Sequence, residues 1–184
     1  MRSMKLMLVS AALLCGSLAT AAEIRPALTA LPPDMQDLLK VWQRQDCRID
    51  DQELVKTLIG VGSILEEALW EAYDLGPPAD VREELTSTLS ERWLARHRWL
   101  EENGNEVIGR EMTTELLAES EDDFRLEEDV KLTSRWRDAA VSGLGWVCTD
   151  RSVRRLESIA RDERSPSSIA ARAALEASGY CSRR

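Results

Sequence analysis

The residues of this chain that could take part in acid–base or metal chemistry gather around His97, its only histidine. His97 and Glu101 are one helical turn apart, so a helix would place both on the same face, a spacing that suits metal ligation. A catalytic zinc site needs at least one more protein ligand, and the flanking Arg96 and Arg98 disfavour a bound cation. We therefore predict no metal and no cofactor, with His97 at or near the surface.

Two glutamates lie close to tryptophans and suggest a different chemistry. Glu91 and Glu101 stand near Trp93 and Trp99, and a glutamate that acts as a general acid beside stacking aromatics is typical of glycan cleavage. No strand–Ser–helix elbow and no Gly-rich phosphate loop occur in the sequence. We predict a protein that is not an enzyme and works by protein–protein binding. A helical enzyme acting on cell-wall glycans and a structural envelope protein are the alternatives.

Residues 1–22 have the pattern of an export signal. Arg2 and Lys5 precede the short apolar run 6–14, and Ala19-Thr20-Ala21 is a cleavage site of the small-x-small type. The apolar run is too short to span a bilayer as a stable helix. We expect cleavage near Ala21/Ala22 and a periplasmic or secreted product, with an uncleaved signal anchor as the alternative.

Export implies an oxidising compartment, in which cysteines are expected to pair. Cys148 lies just before one predicted helix and Cys181 lies just after the helix that returns, so both should meet at one end of a helical hairpin. We predict a Cys148–Cys181 disulfide, which would stabilise the fold by roughly 3–4 kcal/mol. Cys47 is then either buried and inert or joins two chains, so a monomer and a Cys47-linked dimer both remain possible outcomes.

The chain is acidic, with 33 Asp and Glu against 24 Lys and Arg and a net charge of −9. This charge disfavours nucleic acids and anionic membranes as partners. The stretch from Glu115 to Asp129 holds eight carboxylates against Arg125 alone, which favours either a docking surface for a basic protein or a solvated turn. Trp93 and Trp99 cannot both face the core from one straight helix, and we expect Trp99 to be exposed. The predicted contact residues are Glu119, Glu121, Asp122, Asp123, Glu127, Glu128, Asp129 and Trp99.

Apolar residues recur at helical spacing and never alternate for long, so we predict an all-α fold of about seven helices. An extended lead over 23–32 should precede a single domain over 33–181, followed by a tail over 182–184. The sequence leaves open whether Asp122 to Leu144 forms one helix or two helices broken near Thr133. The other predicted helices are Pro33–Gln45, Asp50–Tyr73, the segment from Pro77-Pro78 to Asn103-Gly104, Asn105–Leu117, Asp150–Glu163 and the segment after Ser165-Pro166.

Residues 132–181 have the clearest organisation, predicting helix, turn, helix, turn and helix. Within them, Trp136-Arg137-x-Ala139-Ala140-x-x-x-Leu144-Gly145 partly repeats 34 residues later, and each copy ends on a glycine that we expect to end a helix. This segment resembles the second helix of a HEAT-like repeat, although Trp136 replaces the usual Val or Ile and the second copy displaces its arginine to Arg172. The resemblance implies stacked helical hairpins over about 132–181 that serve as a scaffold for protein contacts.

Overall fold

The structure, a computed structural model, describes residues 24–44, 57, 60, 62–147 and 149–178. The fold is all-α, as predicted, with eight helices of five or more residues and no strand in these ranges. The helices are α1 (Pro26–Ala30), α2 (Pro33–Arg44), α3 (Ser63–Leu75), α4 (Ala79–Trp99), α5 (Arg110–Leu117), α6 (Glu121–Val147), α7 (Asp150–Arg161) and α8 (Ser168–Ser178).

The main core lies where the second half of α6 meets α3, α7 and α8, with α1 and α2 packed alongside. Its centre is formed by Trp136, Leu144 and Leu156, each with at most 1% of its surface exposed. Trp42 and Trp70 are also buried, and Trp42 packs on Trp146 with ring centroids 5.3 Å apart. The tryptophans thus contribute much of the apolar area that stabilises this region.

The long helix α6 continues to Val147, so the prediction that Gly145 ends a helix is wrong. Gly143 and Gly145 are buried inside the helix, and neither has a positive φ. A Cβ on Gly145 would lie 2.7 Å from the carbonyl oxygen of Ala174, and one on Gly143 would lie 3.0 Å from Leu69 and Trp42 side-chain atoms. These glycines are needed because neighbouring elements approach α6 closely. The same helix is unbroken at Thr133, which answers the question that the sequence left open.

Helix α3 is bounded by two glycines with positive φ, Gly62 at 77° and Gly76 at 74°. The prediction of one helix over Asp50–Tyr73 is therefore wrong at Gly62, because a residue in this conformation cannot continue a right-handed helix. The predicted stop at Gly76 is confirmed. The part of that prediction over 50–56 lies outside the described residues.

The chain after α4 does not end its helix at Asn103-Gly104, as predicted. It continues through a π-helical turn, Leu100–Gly104, and a single helical turn, Asn105–Val107. Gly104 stays right-handed and is buried beneath Thr113, whose Cγ2 would lie 2.7 Å from an added Cβ. The break falls instead at Gly109, with φ 86°, so α5 begins at Arg110 and not at Asn105.

The segment before α2 is helical and packed, and the expectation of an extended lead over 23–32 is wrong for its described part. Arg25 is buried and donates hydrogen bonds to the carbonyl oxygens of Gly76 and Pro77, at 2.7 and 3.1 Å. The carboxylate of Glu71 accepts from the backbone amides of Ala27 and Leu28, which start α1. Glu71 thus supplies the acceptors that the first turn of α1 lacks.

Helices α6, α7 and α8 confirm the helix–turn–helix–turn–helix order predicted for this region. The residue that caps α7 is Thr149, whose hydroxyl accepts from the amide of Ser152 at 3.0 Å; Asp150 and Ser152 are inside the helix. Helix α8 begins at Ser168, two residues beyond the predicted proline start at Pro166.

The buried carboxylate of Glu66 in α3 joins α3 to α7. It accepts hydrogen bonds from the hydroxyls of Thr149 and Ser152, both at 2.7 Å. Burial alone would raise the pKa of Glu66, but the hydrogen bonds from Thr149, Ser152 and Trp70 and the charge of Arg151 together lower it below 4.5. Glu66 therefore remains ionised at neutral pH and fixes the N-terminal end of α7.

Candidate functional site at the acidic end

Helices α4 and α6 lie antiparallel and are joined mainly by ion pairs. Arg82 pairs with Asp129 at 2.5 Å, and further along α4, Arg96 pairs with Glu119 at 2.7 Å. Three buried residues, Leu89, Leu100 and Phe124, lie here outside the main core cluster. This part of the molecule therefore depends on charge pairing more than the tryptophan-rich core does.

The structure brings together most of the predicted contact carboxylates, but it pairs many of them with groups of the chain itself. Glu121 accepts from Ser90 and Arg125, and these contacts lower the pKa of Glu121. The side chain of Asp123 accepts from the hydroxyl of Ser120, which in turn accepts from the Asp123 amide and so caps α6.

Among the same predicted residues, Glu127 and Glu128 differ sharply in exposure. Glu127 is exposed and pairs with Lys131 at 2.9 Å, a contact that lowers the pKa of Glu127 and raises that of Lys131. Glu128 is 6% exposed and pairs with Arg92 at 2.5 Å and Lys131 at 3.2 Å. The expectation that Glu128 belongs to an open docking surface is therefore wrong, because its carboxylate is enclosed by α4 and its own helix. Asp122 is exposed, as expected.

Sequence reasoning missed a second set of carboxylates that the structure places beside the first. Between Trp99 and Phe124 the chain contains nine acidic residues and one basic residue, Arg110. Seven of the nine are exposed: Glu101, Glu102, Glu106, Glu111, Glu115, Asp122 and Asp123. We call residues 99–123 the acidic end. The signal was present in the scarcity of basic residues across this whole segment, and not only after Glu115.

Apolar side chains are exposed within the acidic end. Trp99 is 44% exposed, in agreement with the expectation for this residue, and Val107 and Met112 are 64% and 53% exposed. Leu126 and Val130, one turn apart on the outer side of α6, continue this exposed apolar character beyond the acidic end. Exposed apolar groups of this size among charges are typical of protein contact surfaces.

A cleft of about 440 Å³ opens between α4, α5 and α6. It is lined by the basic residues Arg92, Arg96 and Lys131, the carboxylates Glu127 and Glu128, and the apolar residues Leu116 and Phe124. The Arg96 guanidinium lies over the ring of Phe124, 5.3 Å from its centroid. Both signs of charge are therefore held around an apolar surface.

The residues considered for catalysis do not converge. Glu91 and Glu101 are both exposed, and ten residues along a helix separate them by about 15 Å, whereas paired glycosidase carboxylates are about 5–9.5 Å apart. His97 is half-buried, its ring packs on Trp93 with centroids 4.1 Å apart, and its Nδ1 lies 3.2 Å from the Trp93 carbonyl oxygen. His97 is therefore occupied by its own helix.

Within the part of the chain that the structure describes, no group of three His, Cys, Asp or Glu residues is arranged to hold a metal ion. Cys47, Cys148 and Cys181 lie outside the described residues, so the disulfide and the state of Cys47 stay predictions. In the same described ranges, no helix is both long enough and apolar enough to cross a membrane.

Comparison with known proteins leaves the fold and the geometry as the basis for interpretation. No protein-family model, no curated protein and no solved structure matches this chain. The likeness of residues 132–181 to a HEAT-like repeat therefore remains a prediction from sequence.

Proposed function

We propose that this is an exported, non-catalytic helical protein that binds another protein through its acidic end, and that this partner is basic. The observation that carries the proposal is the mixture of exposed groups over residues 99–123. Seven carboxylates lie there with Trp99, Val107 and Met112, which are all exposed, and Arg110 is the only basic residue between Trp99 and Phe124. Carboxylates would attract and orient a basic partner, while the apolar side chains would lose solvent on contact.

The internal ion pairs of α4 and α6 support this proposal. The arginines Arg82, Arg92 and Arg96 are each paired with a carboxylate from Glu119 to Asp129, whereas Glu101, Glu102 and Glu106 are exposed. The carboxylates that stabilise the fold are thus distinct from those that remain for a partner.

A capture experiment with matched variants tests the proposal. The variant Glu101→Gln/Glu102→Gln/Glu106→Gln removes three exposed charges from the acidic end. The control Glu83→Gln/Glu163→Gln/Glu176→Gln removes three exposed charges elsewhere. Each is immobilised and exposed to envelope extract at low and high salt.

We expect the unaltered chain and the control to retain a basic protein that high salt releases, because screening shortens the reach of exposed charges to about 8 Å at 0.15 M. The acidic-end variant should lose most of that capture. Equal capture by both variants, or retention that salt does not change, would contradict the proposal.

A further inference from the structure

The cleft between α4, α5 and α6 holds three cationic side chains in a region that is otherwise strongly acidic. Arg92, Arg96 and Lys131 line it together with Glu127 and Glu128. Its volume of about 440 Å³ lies within the range of pockets that hold small molecules. A binding site for a small ligand is therefore geometrically available here, separate from the exposed carboxylates of the acidic end.

The two arginines of the cleft retain unused donors. Arg92 donates through Nη2 to Glu128, and Arg96 through Nη2 to Glu119. Their Nε and Nη1 groups have no hydrogen-bond partner within the described ranges. An arginine held on one side by a carboxylate presents its remaining N–H groups in a fixed direction, which suits the two oxygens of a second carboxylate.

The opposite charge is supplied by Glu127. Its side chain is 49% exposed, and its only basic partner among the described residues is the half-exposed Lys131. An incoming ammonium group could share this carboxylate with Lys131. Counting Glu119 on Arg96, the three cations around the cleft face three carboxylates, so the site favours a ligand with one charge of each sign over a simple anion.

The apolar part of the cleft sets the third requirement on a ligand. Phe124 is buried and Leu116 is half-buried, and both contribute to the lining. The ring of Phe124 is already covered on one side by Arg96. An aliphatic side chain placed against these two residues would bury apolar surface while its charged groups reach the rim.

From this arrangement we propose that the cleft binds a small zwitterion with an apolar side chain, of the free α-amino-acid class. The ligand carboxylate meets Arg92 and Arg96, the ammonium meets Glu127, and the side chain lies on Leu116 and Phe124. This site is independent of the protein partner proposed above, and either can fail without the other.

Isothermal titration with L-leucine, leucinamide and N-acetyl-leucine tests the chemistry directly. Leucinamide lacks the carboxylate and N-acetyl-leucine lacks the ammonium group. We expect L-leucine to bind with a dissociation constant of about 1 mM or tighter, within the range for a ligand of this size. Each derivative should bind at least about tenfold more weakly, because a hydrogen-bonded charge contributes that much or more.

Two variants place the binding in the cleft. Glu127→Gln removes an exposed charge that the fold does not need, and should weaken L-leucine binding at least about tenfold. Arg92→Lys keeps the charge opposite Glu128 but loses the fixed fork, and should weaken binding in the same direction. The control Glu91→Gln changes an exposed carboxylate of α4 that does not line the cleft, and should bind as the unaltered chain does.

No heat of binding for L-leucine up to about 10 mM would overturn the proposal, since a site with these contacts should be detected in that range. Equal binding of the three compounds would show that neither charge is recognised. Unchanged binding in Glu127→Gln, with circular dichroism showing a folded helical chain, would place any ligand elsewhere.

Discussion

Gly145 in α6 lies directly against the backbone of Ala174 in α8. A Cβ on Gly145 would be 2.7 Å from the Ala174 carbonyl oxygen and 3.0 Å from its Cα. Backbone atoms cannot move aside as the end of a side chain can, so this contact sets the distance between the two helices. The small residues of α8, including the fully buried Ala171, complete the close approach.

Replacing Gly145 by alanine should therefore separate α6 from α8. An alanine in a helix is favoured over glycine by up to about 1 kcal/mol, but overpacking of a core costs about 1–3 kcal/mol. We expect the free energy of unfolding of Gly145→Ala to fall by about 1–2 kcal/mol in urea denaturation. Gly143→Ala is the matched control, since its closest neighbours are side-chain atoms of Leu69 and Trp42 that can shift, and it should change stability by less than about 1 kcal/mol. Equal stability of the two variants would refute this account.

The buried carboxylate of Glu66 makes stability depend on acid pH. Its folded-state pKa is lowered below 4.5, because the hydrogen bonds it accepts outweigh the effect of burial. A group with a depressed pKa contributes stability that is present above about pH 4.5 and is lost as the pH falls through the folded-state value. At pH 7 we expect Glu66→Gln to lower the free energy of unfolding by about 1–3 kcal/mol.

The difference between Glu66→Gln and the unaltered chain should then shrink as the pH falls below about 4.5. Urea titrations at a series of pH values measure it. Asp80 and Glu121 also have lowered pKa values, so acid should weaken both proteins, and only the difference between them reports on Glu66. A difference that does not vary with pH would exclude a charge effect at this residue.

Neighbouring glutamates of α6 should respond oppositely to neutralisation. Glu128 has a side chain 8% exposed that pairs with Arg92 and Lys131, so Glu128→Gln should cost about 1–3 kcal/mol. Glu127 pairs with Lys131 only at the surface, where both side chains are about half exposed, so Glu127→Gln should cost less than about 0.5 kcal/mol. Denaturation of the two variants in the same buffer compares them, and similar losses would mean that Glu128 is not enclosed as described.

Two tryptophans provide the same contrast for apolar groups. Trp136 is 1% exposed in the main core, and Trp136→Ala should lower the free energy of unfolding by about 3–5 kcal/mol. Trp99 is 44% exposed, and Trp99→Ala should lower it by about 0.5 kcal/mol or less while weakening capture of the proposed partner. A Trp99→Ala protein that is unstable, or that captures the partner normally, would remove Trp99 from the contact surface.

The helices were predictable from the sequence because their apolar residues recur with helical period and their ends carry proline, glycine or a hydroxyl. Gly76 and Thr149 illustrate what a sequence can and cannot specify. Gly76 ends α3 as predicted, whereas the cap of α7 is one residue earlier than Asp150, since Asp, Ser and Thr can all cap. Gly145 was misassigned because a glycine that ends a helix and a glycine that admits a neighbour look identical in sequence.

The candidate site was less predictable because its character depends on which charges pair. Glu127 and Glu128 are adjacent in the sequence, but the turn of the helix encloses one and exposes the other. The cleft depends on Leu116, Phe124 and Arg96, which come from three helices, and no local pattern brings them together. Only the exposure of Trp99 and the acidic character of the segment could be inferred beforehand.

Helix α6 belongs to two regions with different kinds of stabilisation. From Leu132 onward it crosses the apolar core, whereas before Leu132 it is fixed to α4 mainly by charges. The amides of a single helix can then open in two steps, with the first half exchanging hydrogen while the second half stays protected. A molecule held at the acidic end would slow amide exchange between Glu121 and Lys131 alone, so its presence could be detected without knowing what it is.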